Sequence, residues 1–136
     1  LDIPTTILSA AGLSFDYEPD GKNLLEMEAS GFKKRRKFFV SETYGHIERN
    51  VAKSLVTSRY KYTVNKEDIS ELYDLALDPY ETRNLIFSES HLTLKNELDE
   101  MLKNWVKEEK DNFFDGDSDY ILNEFLSKGT SKPRDY

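Results

Sequence analysis

Leu94, Leu98, Met101, Leu102, Trp105 and Val106 stand at i, i+4, i+7, i+8, i+11 and i+12, which is one face of an α-helix. The spacing predicts a long amphipathic helix that starts near Ser88-Glu89-Ser90, where hydroxyls offer caps, and runs to about Glu109. Such a stripe must be buried, and the preceding chain supplies the partner. There the apolar period changes from 3.6 to 2. Phe38–Tyr44, Val51–Ser58, Tyr60–Asn65 and Glu71–Leu75 read as strands. Only Ser58-Arg59 separates the second from the third, so these two form a tight antiparallel hairpin. Phe38 and Val40 share one face of the first strand, and Phe39, Ser41 and Thr43 the other. Tyr60, Tyr62 and Val64 share a face of the third, while Leu72 opposes Tyr73 and Leu75 on the fourth. Asp78-Pro79 is expected to end the fourth strand, because proline donates nothing to a ladder and fixes its own φ. Asn84-Leu85 then leads towards the helix. The expected fold is α+β: a four-stranded antiparallel sheet packed against one long C-terminal helix. Trp105 is read as a core anchor of that helix.

Ahead of the sheet, Leu1–Gly12 reads as a short helix, with Pro4 in its first turn and Gly12 as its C′ residue. Pro19-Asp20-Gly21 is a turn, Asn23–Met27 a further short turn or helix, and Ser30–Lys37 a linker. Beyond the long helix, Asp111–Asp119 is acidic. Tyr120–Leu126 reads as a last short helix, and Lys128–Tyr136 as a loose tail.

Composition narrows the function classes. The chain has 136 residues, 38% hydrophobic and 33% charged, enough for one domain with a moderate core. Its 26 acidic against 19 basic residues give a net charge of -7, whose mean field repels nucleic acid and anionic membranes. Lys33–Lys37 could form an anion-binding patch, although a solvated loop or a charge-protected strand edge explains it as well. With no cysteine there is no disulfide, thiolate metal site or cysteine nucleophile. No apolar run approaches the ~20 residues of a membrane span. The start at Leu1 resembles no signal peptide, and a longer or processed parent chain is expected.

Candidate chemistry centres on His46. It sits in the polar loop Gly45–Asn50, beside Glu42 and Tyr44 and before Arg49, where it could donate to an anionic oxygen. An exposed loop histidine with a local partner is the plainer alternative. Asp115, Asp117 and Asp119 resemble the opening of a calcium loop. That pattern wants Gly and Glu where this chain has Tyr120 and Leu126, so a solvated acidic loop is preferred. No nucleophile elbow, zinc-helix motif, P-loop or dinucleotide fingerprint is present. From its residues alone, the chain is a small α+β unit without a self-contained active site.

Five stretches in register resemble the C-terminal region of the type I, formylglycine-dependent sulfatases of the alkaline-phosphatase-like superfamily. Asp2–Gly12 resembles the pattern D-x-x-P-T-hydrophobic-x(4)-A-G, with one residue fewer between Asp2 and Pro4 and Thr6 at the hydrophobic position, and Asp20–Leu25 the D-G-x-S/N-L-L turn. Arg59–Tyr62 is similar to R-x-K-Y, and Glu71–Leu85 to E-L-Y-D-L-x-x-D-P-x-E-x-x-N-L. Leu94–Asp111 resembles the closing helix with its late tryptophan.

The resemblance implies that residues 1–29 are the tail of a large α/β catalytic domain otherwise missing here, and that 30–136 are the C-terminal subdomain. It implies a parent that hydrolyses sulfate esters with a divalent cation, calcium, and formylglycine. The catalytic and metal-binding residues would lie outside this chain. Ser131-Lys132-Pro133-Arg134 is only superficially similar to the Cys (or Ser)-x-Pro-Ser-x-Arg signature and is rejected. His46, with Glu42, Tyr44 and Arg49, is implied as a contact to a sulfated, possibly carbohydrate, substrate. A phosphoesterase or phosphonate hydrolase of the same superfamily, or a stand-alone module binding an anionic partner, are the alternatives. Ile3, Ile7, Leu8, Leu24 and Leu25, deprived of the large domain, would be exposed and open to self-association.

Overall fold

The structure, a computed structural model, describes residues 1–31, 36–44 and 51–116. They form two compact units, Leu1–Lys37 and Phe38 onwards.

The first unit holds α1 (Asp2–Ala10) and α2 (Leu24–Ala29). Gly12 ends α1 at φ +71°, and Leu13 N–H bonds back to Leu8 O at 2.9 Å, closing the helix as its sequence predicted. Asn23 caps α2, its side chain accepting from Leu25 N–H. Polar groups join the two helices. Asp2 accepts from Lys22 N–H at 2.8 Å and from both Arg36 terminal nitrogens, at 2.6 and 2.8 Å. Thr6 Oγ1 accepts from Leu24 N–H at 3.0 Å, and Asn23 Nδ2 donates to Ser9 Oγ at 2.7 Å. Gly21 sits so close to the helix start that a Cβ there would lie 2.1 Å from Leu1 O and 2.6 Å from Thr5 Oγ1. A side chain would force the turn away from α1. The basic run therefore gives up Arg36 to an internal ion pair, while residues 33–35 lie outside the described part.

The second unit is a four-stranded antiparallel sheet in the order β1 (Phe38–Tyr44), β2 (Val51–Thr57), β3 (Tyr60–Asn65), β4 (Glu71–Asp74). Helix α3 (Leu92–Glu108) packs on one face. The register stacks Val40, Leu55, Tyr62 and Leu72 across the strands. Leu98, Leu102 and Val106 of α3 close over that row, and Leu55, Leu72 and Leu102 are fully buried. Phe38, Val40, Tyr60 and Val64, paired on shared faces by their alternation, pack around the rim, and Trp105 joins them from α3.

Three local features differ from the sequence reading. β2 ends one residue earlier, at Thr57, whose hydroxyl accepts from Tyr60 N–H at 2.8 Å and closes the hairpin. β4 ends at Asp74, well before Pro79. The Asp74 carboxylate accepts from Ala76 N–H at 3.1 Å and starts the turn itself. No serine side chain caps α3. A single 3₁₀ turn, Glu89–His91, leads in, and Ser88 and Ser90 bond the His91 ring instead. The expected final helix and tail lie outside the described residues.

Candidate functional site

On the core face of the central strand β2, Val51 and Leu55 flank a lysine. Lys53 is 1% exposed. Antiparallel pairing sets it opposite Glu42, with Tyr44 opposite Val51. Its ammonium donates to Glu42 Oε1 and, at 2.9 Å, to Asp111 Oδ2. It also lies 5.3 Å from the Phe113 ring centroid, 5.4 Å from Trp105 and 5.7 Å from Tyr44. The end of α3 delivers Asp111. Lys110 adopts φ 55°, Asp111 N–H bonds Val106 O at 2.9 Å, and the chain doubles back onto the sheet. Asp111 Oδ1 then accepts from Phe113 N–H at 2.7 Å, seating the fully buried Phe113 ring. Lys66 lies 4.9 Å from the same ring and donates to Gly116 O at 2.9 Å.

Burial pulls the Lys53 ammonium down, but the Glu42 and Asp111 carboxylates more than reverse this and hold it above its ordinary value. It stays charged at any physiological pH. Burial raises the Tyr44 phenol, Lys53 partly opposing it, and the hydroxyl stays protonated to donate to Glu42 Oε2 at 3.2 Å. The cluster has the form of a cation site already filled by the protein's own ammonium. Among the described residues no group of three or more His, Cys, Asp and Glu could hold a metal. Asp117 and Asp119 of the acidic run lie outside the described part.

Of the residues singled out in the sequence, Glu42 and Tyr44 therefore meet, and both are engaged with Lys53. His46 and Arg49 lie outside the described residues. Lys53 and Asp111 were not anticipated. The signal for Lys53 was present: a lysine at the middle of Val51-x-Lys53-x-Leu55 must share the core face with its two apolar neighbours.

The motif stretches pair with one another. Arg59 grips Asp74 with Nη2 to Oδ2 at 2.7 Å and holds its carboxyl below the usual range. Lys61 donates to Glu81 at 2.6 Å, and Tyr62 OH donates to Asp99 at 3.0 Å. Asp78 accepts from Arg83 N–H at 2.8 Å and Thr82 Oγ1 at 3.0 Å, and the Thr82 and Arg83 backbone N–H groups, in that order, keep its carboxyl low. Asn84 Oδ1 accepts from Leu72 N–H and Ile86 N–H, each at 3.0 Å, so its amide occupies the free edge of β4. The acidic residues Asp74, Asp78 and Glu81 thus build the turn.

A four-stranded sheet under one helix, braced by these pairs and preceded by a short helix, is the architecture of a sulfatase C-terminal subdomain. Residues 1–108 match the family described as N-sulphoglucosamine sulphohydrolase, C-terminal, and the chain belongs to that family. It is 26% identical over 116 residues to an uncharacterized protein of Haemophilus influenzae, covering 77% of this chain and 60% of that one. It superposes on a solved structure of BT1596, a 2-O GAG sulfatase, with TM-score 0.70 and 28% identity, over 83% of this chain and 25% of that one. A Bacteroides thetaiotaomicron protein provisionally assigned as a sulfatase matches with TM-score 0.71 and 28% identity over the same shares. BT4656, solved with its substrate D-glucosamine-2-N,6-O-disulfate, shares the fold at TM-score 0.69 and 21% identity, over 85% of this chain and 25% of that one. The chain thus spans about a quarter of the length of these solved structures and 60% of the Haemophilus relative. Sulfatases of this kind generally use a metal and formylglycine, and the described residues show no place for that metal. No described helix is long and apolar enough to cross a membrane.

Proposed function

We propose that this chain is the C-terminal part of a sulfuric ester hydrolase of sulfated carbohydrates. In this reading residues 1–29 complete the catalytic α/β domain, and residues 30–136 brace it and reach the substrate. The match of residues 1–108 to the sulphohydrolase family carries the proposal. The glycosaminoglycan and glucosamine sulfate substrates of BT1596 and BT4656 indicate the class. The bond-breaking groups, a divalent cation (calcium) and formylglycine, are supplied by the catalytic domain. This chain contributes recognition: His46 and Arg49 donate to sulfate, carboxylate or hydroxyl oxygens. Glu42 and Tyr44, anchored on Lys53, hold the strand end from which that loop departs.

The apolar face of α1 supports the domain boundary. Ile3 and Ile7 of α1 and Leu24 and Leu25 of α2 are exposed, Leu8, also expected to be exposed, is half-buried, and no residue of α1 is fully buried. In the parent these side chains meet the catalytic domain. In the isolated chain they favour association with a second copy, which sedimentation of wild type against Ile3→Ser/Ile7→Ser would reveal.

The decisive experiment uses the full-length parent enzyme on sulfate and phosphate esters of glucosamine. Sulfate release that falls through a raised KM in His46→Ala, with kcat kept, is the expected result. A parent that cleaves only the phosphate ester makes the chain part of a phosphoesterase. An unchanged kcat/KM in His46→Ala removes the loop from substrate recognition.

A further inference from the structure

A cleft of about 390 Å³ opens beside the N-terminal half of α3, walled by β3, the approach to β4 and the segment after Asn84. Its lining includes Tyr62, Ser70, Phe87, Lys95, Asn96 and Asp99. Phe87 is 80% exposed, an unusual position for a ring that contributes nothing to the core. Asp99 is fixed from two sides, Oδ1 by the Tyr62 hydroxyl at 3.0 Å and Oδ2 by the Lys103 ammonium at 2.7 Å. Burial and the Asp99 charge hold the Tyr62 phenol well above its ordinary value, so it remains a donor. Lys95 and Asn96, by contrast, enter no ion pair or side-chain hydrogen bond among the described residues.

We propose that this cleft binds an anionic saccharide unit, stacked on Phe87 with one anionic substituent on Lys95. Each element answers to one part of such a ligand. The apolar C–H face of a pyranose covers a flat ring and hides it from water. The free Asn96 amide offers a donor and an acceptor to ring hydroxyls, and the restrained Asp99 carboxylate accepts from another. The Lys103 ion pair offsets the Asp99 charge, which would otherwise repel an anion. Lys95 is left to make a charge-assisted bond to a sulfate or carboxylate oxygen. The choice of a sulfated unit rests on the sulfated-carbohydrate reading above; the saccharide geometry does not.

The test needs no turnover. The 136-residue chain, labelled with ¹⁵N, is titrated with D-glucosamine-2-N,6-O-disulfate, with unsulfated glucosamine and with sodium sulfate. Saturable shifts confined to residues 69–70, 86–87 and 95–99 are expected, with the sulfated sugar bound at least about tenfold tighter than the plain one. Lys95→Gln should abolish that preference, and Phe87→Ala should weaken both sugars. These side chains lie outside the core, so unchanged spectra elsewhere certify the fold. Inorganic sulfate binding as well as the sugar, with no effect of Phe87→Ala, would overturn the saccharide cleft. So would the absence of saturable shifts. Because binding is read directly, a parent enzyme inert on sulfated sugars would sink the proposed function while a saturating cleft survived.

Discussion

The two units of the chain are held together by different forces. From Phe38 onwards, a continuous apolar row crosses four strands and is closed by one helix, with Leu55, Leu72 and Leu102 wholly buried. In residues 1–37, Met27 is the buried apolar residue among those described, while Ile3, Ile7, Leu13 and Tyr17 face outward. Polar bonds do the joining there: Asp2 to Lys22 and Arg36, Thr6 to Leu24, Asn23 to Ser9. Hydrophobic burial is non-directional and scales with area. Hydrogen bonds between partly exposed groups add little net stability but demand geometry. The second unit is thus stable through its core. The first is shaped by its polar latch and leaves apolar side chains exposed.

The largest expected effect tests the core. Leu102→Ala, at a fully buried position, should destabilise the second unit by about 3–4 kcal/mol through lost transfer energy and the cavity left behind. Ile7→Ala, at a position 63% exposed, should change stability by less than about 0.5 kcal/mol. Urea melts followed at Trp105 for the first variant, and by amide exchange in α1 for the second, separate the two. Equal costs would erase the contrast between the units.

Lys53 is the polar exception inside the apolar unit, and two substitutions distinguish charge from bulk. Lys53→Ala removes packing against three rings and leaves Glu42 and Asp111 facing each other, at a cost of about 2–3 kcal/mol by urea denaturation. Lys53→Met strands the same two carboxylates but keeps the stem against the rings, so it should cost about 1 kcal/mol less than Ala. If Met costs as much as Ala, the charge rather than the packing holds the cluster.

These positions also mark where the sequence was readable. The α3 stripe and the strand alternation were legible because each depends on one local period: the stripe put Leu98 and Leu102 on the buried face of α3, and the alternation sorted Tyr62 and Leu72 by face without saying which face is buried. The end of β4 was misread. Pro79 is an obvious stop, but the turn begins at Asp74, whose role depends on Arg59 across the sheet edge. Lys53 could have been placed by its own alternation, and its pairing with Glu42 is set by the β1–β2 register. Asp111 could not, because it arrives only after α3 has run its length and Lys110 has reversed the chain. The motif acids in Glu71–Leu85 showed the same division. Asp78 works within its own turn, beside the Pro79 that the sequence marks as a stop, whereas the Lys61 partner of Glu81 lies on another strand.

The smallest effect belongs to the latch of the first unit, and pH reads it most cleanly. The Arg36 guanidinium beside Asp2 lowers its carboxyl from 3.8 to about 2. A folded value below the unfolded one means the pair contributes fully above about pH 4 and is lost as pH falls towards 2. Both side chains are partly solvated, so the stabilisation is below about 1 kcal/mol. Carboxyl ¹³C titration should place Asp2 near 2 in wild type and return it to the ordinary aspartate range in Arg36→Ala. The Lys22 amide, which donates to the same carboxylate, should lose its protection in step. Core amides such as that of Leu55 should not respond to Arg36→Ala. If they do, the latch and the core are energetically one structure, and the division between burial and geometry drawn above fails.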